Sequence, residues 1–468
     1  MPRDERQIAS PRQLPARVTP PRIVPDGFAF WRAARENLLS IIPEAAYREP
    51  IVAGPSRRDG FAWLMISDPD VLEHVLKKRA ANYPRSEVTL RILKPRRGDS
   101  LFTAPEETWR WQHRAMSPIF QRRVLQGLVP VMSDAAEATA TRFAATAPGI
   151  RDVYPDMVKA TADVICDTAL SGRESLDRDA LAAGVSRFIE RVARLSLLDV
   201  FGVPRWVPRP GRILDGSARR MDAEMDAIIG ARSARGPSDP PDLLDLLIAA
   251  RDPGDGSGDG GGRRMSPIEL RNNLLAFIVA GHETTALALT WALYLLAFDS
   301  DVQERASEEA RKVLGDCSAG YADLERLPYI RQVIDETMRL YPPAGLLTKS
   351  AIDADSLCGR PLRPGGLVMI PIWALHRHQR LWHEPDAFDP DRFSRDGRAG
   401  RHRFAYLPFS AGPRICLGMQ FALIEAQVIL ATLIARFRFA LPDGFEPEPK
   451  MIFTLRPGNG MPLSIARR

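Results

Sequence analysis

Phe409-Ser410-Ala411-Gly412-Pro413-Arg414-Ile415-Cys416-Leu417-Gly418 sets one cysteine between two glycines, two residues after an arginine. Met419 to Phe439 follow, almost continuously apolar and free of glycine and proline, which reads as a buried helix. Cys416 therefore stands just before that helix or in its first turn, where unpaired backbone N–H groups and the positive end of the helix dipole favour a thiolate. Gly412 and Gly418 permit a tight turn or close approach to something flat, and Arg414 can meet an anion on the same side. A lone cysteine is most often an inert, buried small hydrophobe. A thiolate held on a rigid glycine-flanked turn suits a metal that needs one soft axial ligand.

The full pattern Phe-x-x-Gly-x-Arg-x-Cys-x-Gly, from Phe409 to Gly418, resembles the haem-ligand loop of the cytochrome P450 family. The resemblance implies a mainly α fold with small β-sheets, the cytochrome P450 fold, in which a long central helix lies over a haem held by the cysteine loop. It implies that Cys416 is the axial thiolate of haem b (iron protoporphyrin IX), a ligation that pushes electron density toward O–O cleavage. Phe409, Arg414 and Gly418 belong to the same cofactor-binding loop.

Upstream, Ser266-Pro267-Ile268-Glu269 is a strong helix start: Ser266 caps, Pro267 takes the first helical position and Glu269 completes a capping box. The helix is expected to run to about Phe298, apolar nearly all round and hence buried. Within it lies Ala280-Gly281-His282-Glu283-Thr284-Thr285. Polar side chains in a buried helix are costly unless partnered, glycine is a poor helix residue, and a local rule broken in a core element points to function. Thr284 can hydrogen-bond a carbonyl one turn back and open the helix, making room for water or dioxygen. Glu283 beside it can pass protons from solvent; the plainer alternative is a kinked core helix with a solvated Glu. A metalloprotease site is excluded, because Thr284-Thr285-Ala286 follow His282-Glu283 where a second histidine is needed. The segment is similar to the family's Ala/Gly-Gly-x-Asp/Glu-Thr-Thr oxygen-activation motif, which implies that Glu283 and Thr284 deliver protons.

Glu107 to Gln121 reads as a helix with Trp109 and His113 on one face. Such a pair can hold two carboxylates, or be a core Trp with a surface His. The resemblance implies that Trp109 and His113 hold haem propionates, with Arg114 a weaker candidate, and Lys349 stands where the family often has an arginine. In the helix expected over Pro328 to Tyr341, Glu336 and Arg339 are three apart, usually a solvated contact. With Asp389-Pro390-Asp391-Arg392-Phe393 further on, the resemblance implies a buried Glu336–Arg339–Arg392 network behind the cysteine loop. His376, His378 and His383 fit no metal spacing and read as polar surface. Further helices are expected over Phe28–Tyr47, Val71–Ala81, Leu243–Ala250 and, with proline breaks including Pro204–Pro210, Val129–Ile229. Strands are expected at Ala62–Ser67, Leu346–Ile352 and Gly366–Trp373, and a hairpin-like segment at Thr454–Pro457. Pro253 to Gly262 lacks the Lys-Ser/Thr of a phosphate loop and reads as a surface loop.

The 468 residues, 45% of them apolar, allow a large core. Residues 1–26 read as a Pro/Arg-rich arm and 27–468 as a single haem domain. Cys166, Cys317, Cys358 and Cys416 form no C-x-x-C pair, so neither a disulfide scaffold nor a zinc ribbon is indicated, and a reducing compartment fits. The net charge of +6 comes without a nucleic-acid-binding motif. It reads either as an Arg-rich background or as a basic face for an acidic partner, with Arg110, Arg114, Arg122, Arg123, Arg401 and Arg403 flanking the cysteine side. No run of about 18 apolar residues and no signal peptide are seen, so no membrane span is expected and a cytoplasmic, bacterial-type protein is.

By resemblance the chain is a monooxygenase hydroxylating an apolar small molecule with O2 and two electrons. With no flavin or iron–sulfur segment in view, a separate ferredoxin or flavodoxin is the expected donor. Phe277, Ala280, Leu346 and Leu347 are candidate substrate contacts, equally readable as core. A peroxygenase or haem isomerase on the same scaffold would need no proton relay, so the Glu283-Thr284 pair weighs against it. A gas sensor would need an output domain, and none is visible.

Overall fold

The computed structural model describes residues 14–25, 27–57, 60–93, 99–169, 216–239, 241–252 and 262–468. The Pro204–Pro210 break, with the rest of 170–215, and the glycine-rich stretch from 253 to 261 lie outside the described residues. The helices used below are α1 (Gly27–Glu36), α2 (Glu106–Met116), α3 (Arg122–Thr146), α4 (Val153–Ala169), α5 (Pro267–Phe298), α6 (Pro328–Leu340) and α7 (Met419–Arg436). The strands are β1 (Ile51–Ala53), β2 (Gly60–Ile66), β3 (Gly149–Asp152), β4 (Leu347–Ser350), β5 (Arg360–Ile370), β6 (Phe437–Ala440), β7 (Pro449–Met451), β8 (Leu455–Pro457) and β9 (Pro462–Arg467).

The central helix begins where its capping box places it: Ser266 accepts from the Glu269 N–H, and the Glu269 carboxylate accepts from the Ser266 N–H at 2.9 Å. Its apolar residues point all round because α4, α6 and α7 surround it, and Trp291, Leu293, Leu295 and Leu296 are fully buried. α5 and α7 are long and apolar enough to cross a membrane by length and composition, and both are mostly buried inside the protein. The main sheet runs β1-β2-β5-β4, with β2 and β5 parallel and the outer pairs antiparallel. β3, β9 and β6 make a second sheet, and β7 pairs with β8 as a short hairpin.

Two expected helices are broken. Residues 28–47 form α1 and then two 3-10 turns, Leu38–Ile41 and Glu44–Tyr47, because Asn37 and Pro43 interrupt the ladder. Residues 71–81 begin as a short helix, Pro69–Glu73, capped by Asp68, and widen to a π-turn at His74–Lys78. From the N-terminal arm, Ala16 is buried: its N–H donates to the Tyr294 hydroxyl at 2.9 Å and its carbonyl accepts from the Tyr341 hydroxyl at 2.6 Å.

Candidate functional site

The cysteine loop is shaped by two residues in the left-handed region, Ser410 (φ 62°) and Gly412 (φ 76°). A Cβ on Gly412 would stand 1.8 Å from the Leu76 carbonyl oxygen, so glycine is required for the loop to lie against the π-turn. The Cys416 N–H donates to the Phe409 carbonyl at 3.0 Å and closes the loop, and Gly418 caps α7. A Cβ on Gly418 would meet nothing nearer than Phe120 at 3.9 Å. Glycine there leaves open space beside the sulfur, the shape a flat ligand needs. Cys416 is exposed, yet protein crowds the thiol: burial pushes it up from its ordinary value, against the Gly418 N–H, which lowers it. The lowering expected from the helix end is thus outweighed in the polypeptide alone. Among the described residues a single N–H reaches the sulfur, so a thiolate there calls for a positive partner such as a metal.

Next to this loop, α2 carries Trp109 and His113 with ring centroids 4.9 Å apart, and the Arg414 guanidinium covers Trp109 at 4.2 Å. Arg414 Nη2 donates to Glu106 at 2.8 Å, while its buried Nη1 has no hydrogen-bond partner among the described residues. Arg85 and Lys349 complete the cluster, joined by a backbone bridge. Burial and then Arg414 lower the Arg85 guanidinium to about 10, and the buried Arg85 Nε is also unpartnered among the described residues. Burial, then Arg85 and Arg414, lower the Lys349 ammonium to about 8; burial and Arg414 likewise lower His113. Crowded cations with unpaired N–H groups, balanced by Glu106, are a site for a dianion. Lys349 therefore belongs to the cation cluster with Arg85 and Arg414. Arg85 stands between Tyr83 and the short helix Glu87–Leu93, where no periodicity singles it out in the sequence. The chemistry of this set — a soft axial donor, a flat open space and a dianion pocket — fits haem b.

On α5, the Thr284 hydroxyl donates to the Ala280 carbonyl one turn back, at 2.7 Å. Gly281 admits α4: a Cβ there would approach Ile165 Cδ1 to 3.1 Å. Glu283 is 1% exposed, rather than in direct contact with solvent. Its carboxyl accepts from Thr454 Oγ1 (3.0 Å) and Tyr154 Oη (3.3 Å) and pairs with Arg456. Burial raises it, and Arg456 opposes that rise first among its neighbours. His282 is buried with neither ring nitrogen bonded among the described residues, and burial, then Arg456, lower it to about 4, so it is neutral.

Behind the loop, Arg339 meets Glu336 through Nε (2.6 Å) and Nη2 (2.7 Å), both side chains fully buried. Its remaining N–H groups go to the carbonyls of His376, Pro385 and Ala387. Arg392 approaches Glu336 at 3.4 Å and donates to the carbonyls of His383 and Glu384. The reading of the histidines as surface groups is corrected for His376 and His378, which are buried. His376 Nε2 accepts from the Leu407 N–H at 2.8 Å, and Nδ1 faces the Arg339 carbonyl at 3.2 Å. Burial, reinforced by Arg339, lowers its pKa to about 3, so it donates through Nδ1 and ties α6 to the segment entering the cysteine loop. Of the substrate candidates, Phe277 stacks edge-on with Phe120 at 5.5 Å, whereas Leu346 and Leu347 pack against two other parts of the core.

The arginines flanking the cysteine side divide. Arg110, Arg114 and Arg122 pair with Glu106, Asp252 and Glu325, and Arg401 donates to the Arg392 and Gly397 carbonyls while stacking on Trp382. Arg123 and Arg403 are exposed and have no ion pair among the described residues.

Comparison with known proteins agrees with this geometry. A family model described as Cytochrome P450 matches residues 61–463. A Mycobacterium tuberculosis protein that carries a cytochrome P450 name is 32% identical over 427 residues, 87% of this chain and 89% of that protein. Cyclooctatin synthase of Streptomyces melanosporofaciens is 32% identical over 392 residues, 83% of each. The crystal structure of a cytochrome P450DA heme domain matches with a TM-score of 0.76 and 27% identity, covering 90% of both chains.

Proposed function

The chain belongs to the cytochrome P450 family of haem monooxygenases, and on that basis we propose that it hydroxylates an apolar organic substrate using electrons from a separate protein. The overall reaction takes one O2, two electrons and two protons, placing one oxygen atom in a C–H bond of the substrate and the other in water. Bound haem supplies the redox-active metal at which dioxygen is reduced. The protein's own groups do the rest. Cys416 donates the thiolate, and the loop anchored by Gly412, the Phe409 carbonyl and His376 fixes the direction of that sulfur. Trp109, His113, Arg85, Lys349 and Arg414 receive the propionates, where the anions relieve mutual repulsion among the cations. Thr284 keeps its own proton on the Ala280 carbonyl, which leaves its oxygen lone pairs to accept a proton donor at the reaction face. Glu283 relays protons inward from the solvent side while Tyr154, Thr454 and Arg456 hold its carboxyl in place, and Arg456, 19% exposed, keeps its own proton. Phe277 and Ala280 line the substrate side. The placement of the two long apolar helices inside the protein supports a soluble, cytoplasmic enzyme, and the separate donor is taken to be a ferredoxin or flavodoxin.

The observation that carries this reading is the Cys416 thiol on its glycine-flanked loop, in the same loop as Arg414, whose Nη1 has no hydrogen-bond partner among the described residues. After haem reconstitution and reduction, the carbon monoxide complex of the wild type is expected to show the thiolate Soret position. Cys416→Ser should lose it while keeping the wild-type far-UV circular dichroism. A Soret band unchanged by the substitution would end the proposal.

A further inference from the structure

Three donors from two separate elements meet at the buried Glu283 carboxyl. Tyr154, in the first turn of α4, donates to Oε1 at 3.3 Å. Arg456 of β8 pairs with the same oxygen. Thr454, just before β8, donates to Oε2 at 3.0 Å. The backbone around each donor is fixed. The Tyr154 N–H donates to Asp152 Oδ1 at 3.1 Å, and the same oxygen accepts from the Met461 N–H at 3.0 Å. The Val153 N–H donates to the Met461 carbonyl at 3.0 Å, so the start of α4 is tied to the entry of β9. Further along α4, Thr161 donates to the carbonyl of His282, directly before Glu283. Between Thr454 and Arg456, the Leu455 N–H donates to the Pro343 carbonyl at 3.0 Å, and the Leu455 carbonyl accepts from Trp291 Nε1 at 3.0 Å.

The three donors differ in what they can do with a proton. A guanidinium does not give its proton up, so Arg456 only balances charge, whereas a hydroxyl both donates and accepts and can pass a proton on. Of the two hydroxyl residues, Thr454 is buried, while Tyr154 is half-buried and flanked in sequence by the exposed Asp152 and Pro155. We propose that Tyr154 is the inlet by which solvent protons reach Glu283, a positioning residue that acts through that carboxyl. A hydronium ion at the protein's edge gives a proton to Tyr154 Oη as the phenol O–H bond breaks and an O–H bond forms on Glu283 Oε1. One proton enters, Tyr154 ends as it began, and no electrons change hands. This inference rests on the haem-monooxygenase reading above, with Glu283 as its relay.

The test follows oxygen uptake by the haem-loaded enzyme without added substrate, driven by NADPH through a plant-type ferredoxin and its reductase, with Cys416→Ser as the background. Two electrons and two protons then carry O2 to hydrogen peroxide, so uptake still draws on the proton route. Tyr154→Phe keeps the ring and removes only the hydroxyl. It is expected to slow the Cys416-dependent uptake by about tenfold and to raise the ratio of rates in H2O and D2O. Its carbon monoxide Soret band, circular dichroism and rate of haem reduction by dithionite should match the wild type. Thr454→Val removes the enclosed hydroxyl and should slow uptake less, at the wild-type isotope ratio. Unchanged uptake and isotope ratio in Tyr154→Phe overturn the inlet and assign proton entry to water beside Arg456. Equal effects of the two variants on rate and ratio also overturn it, since both hydroxyls then only hold the carboxyl. Either result in an enzyme with the thiolate Soret band leaves the monooxygenase reading standing; a wild type without that band loses both.

Discussion

Glu425 shows how one buried side chain can set a pH response. It sits on α7, 1% exposed against the central helix, and burial pushes its carboxyl up to about 8, with the nearby Thr285 opposing slightly. A folded-state pKa above the ordinary value of 4.5 means that the folded protein holds a proton which the unfolded chain gives up. The associated stability is complete below the unfolded value and is lost as pH rises through the folded one, at up to about 1.4 kcal/mol per pH unit. Resistance of the wild type to urea should therefore fall between about pH 5 and pH 8, and Glu425→Gln should flatten that slope. Parallel curves for the two proteins would reject the assignment. The sequence hid this residue: the stretch from Met419 reads as apolar, and a lone Glu in it draws no notice without the partner helix.

At the scale of elements, the cysteine loop depends on a second element far away in sequence. Gly412 lies against the Leu76 carbonyl, in the turn His74–Lys78 that departs from regular α-helix. Gly412→Ala would force a Cβ into that carbonyl and impose about 1–2 kcal/mol of left-handed strain besides, so the loop must move. The expected result is a lower haem content and a weaker thiolate Soret band with near-native circular dichroism. Gly418→Ala, with its nearest neighbour at 3.9 Å, tests the opposite case: in the haem-free protein it should leave the melting temperature unchanged. The glycines were legible as a pair, but their separate reasons were not, because one answers to the chain and the other to space beside it.

Over the whole molecule, connections run from the arm to the acid. Ala16 is held by Tyr294 and Tyr341, and Tyr341 stacks on Trp291 at 4.1 Å. Trp291 in turn donates to the Leu455 carbonyl, between the Thr454 and Arg456 that hold Glu283. Charge is also a whole-molecule property. A net charge of +6 is weakened on the cysteine side by Glu106, Asp252 and Glu325, and Arg123 and Arg403 remain exposed without an ion pair among the described residues, which makes them the cations expected to meet an acidic donor. Reduction by an acidic ferredoxin should slow as ionic strength rises beyond about 0.1 M. Charge reversal at Arg123 or Arg403 should slow it more than Arg122→Ala does. Stopped-flow reduction independent of salt would remove the docking face.

The sequence by itself determined the cysteine loop, the start of the central helix, the Thr284 back-bond and the family, because caps, periodicity and short motifs act over one or two turns of chain. It also set Trp109 with His113 and Glu336 with Arg339 on shared helix faces, each within four residues of its partner, whereas the complete burial of Glu336 and Arg339 is a finding of the tertiary structure. Only the tertiary structure showed the clustering of Arg85 with Lys349, the burial of His376 and Glu425, and the holding of Glu283 by Arg456. These depend on which cations crowd together and which polar groups lose water, and such contacts join residues tens to hundreds of positions apart. Burial and electrostatic coupling act through space, and no local pattern records them.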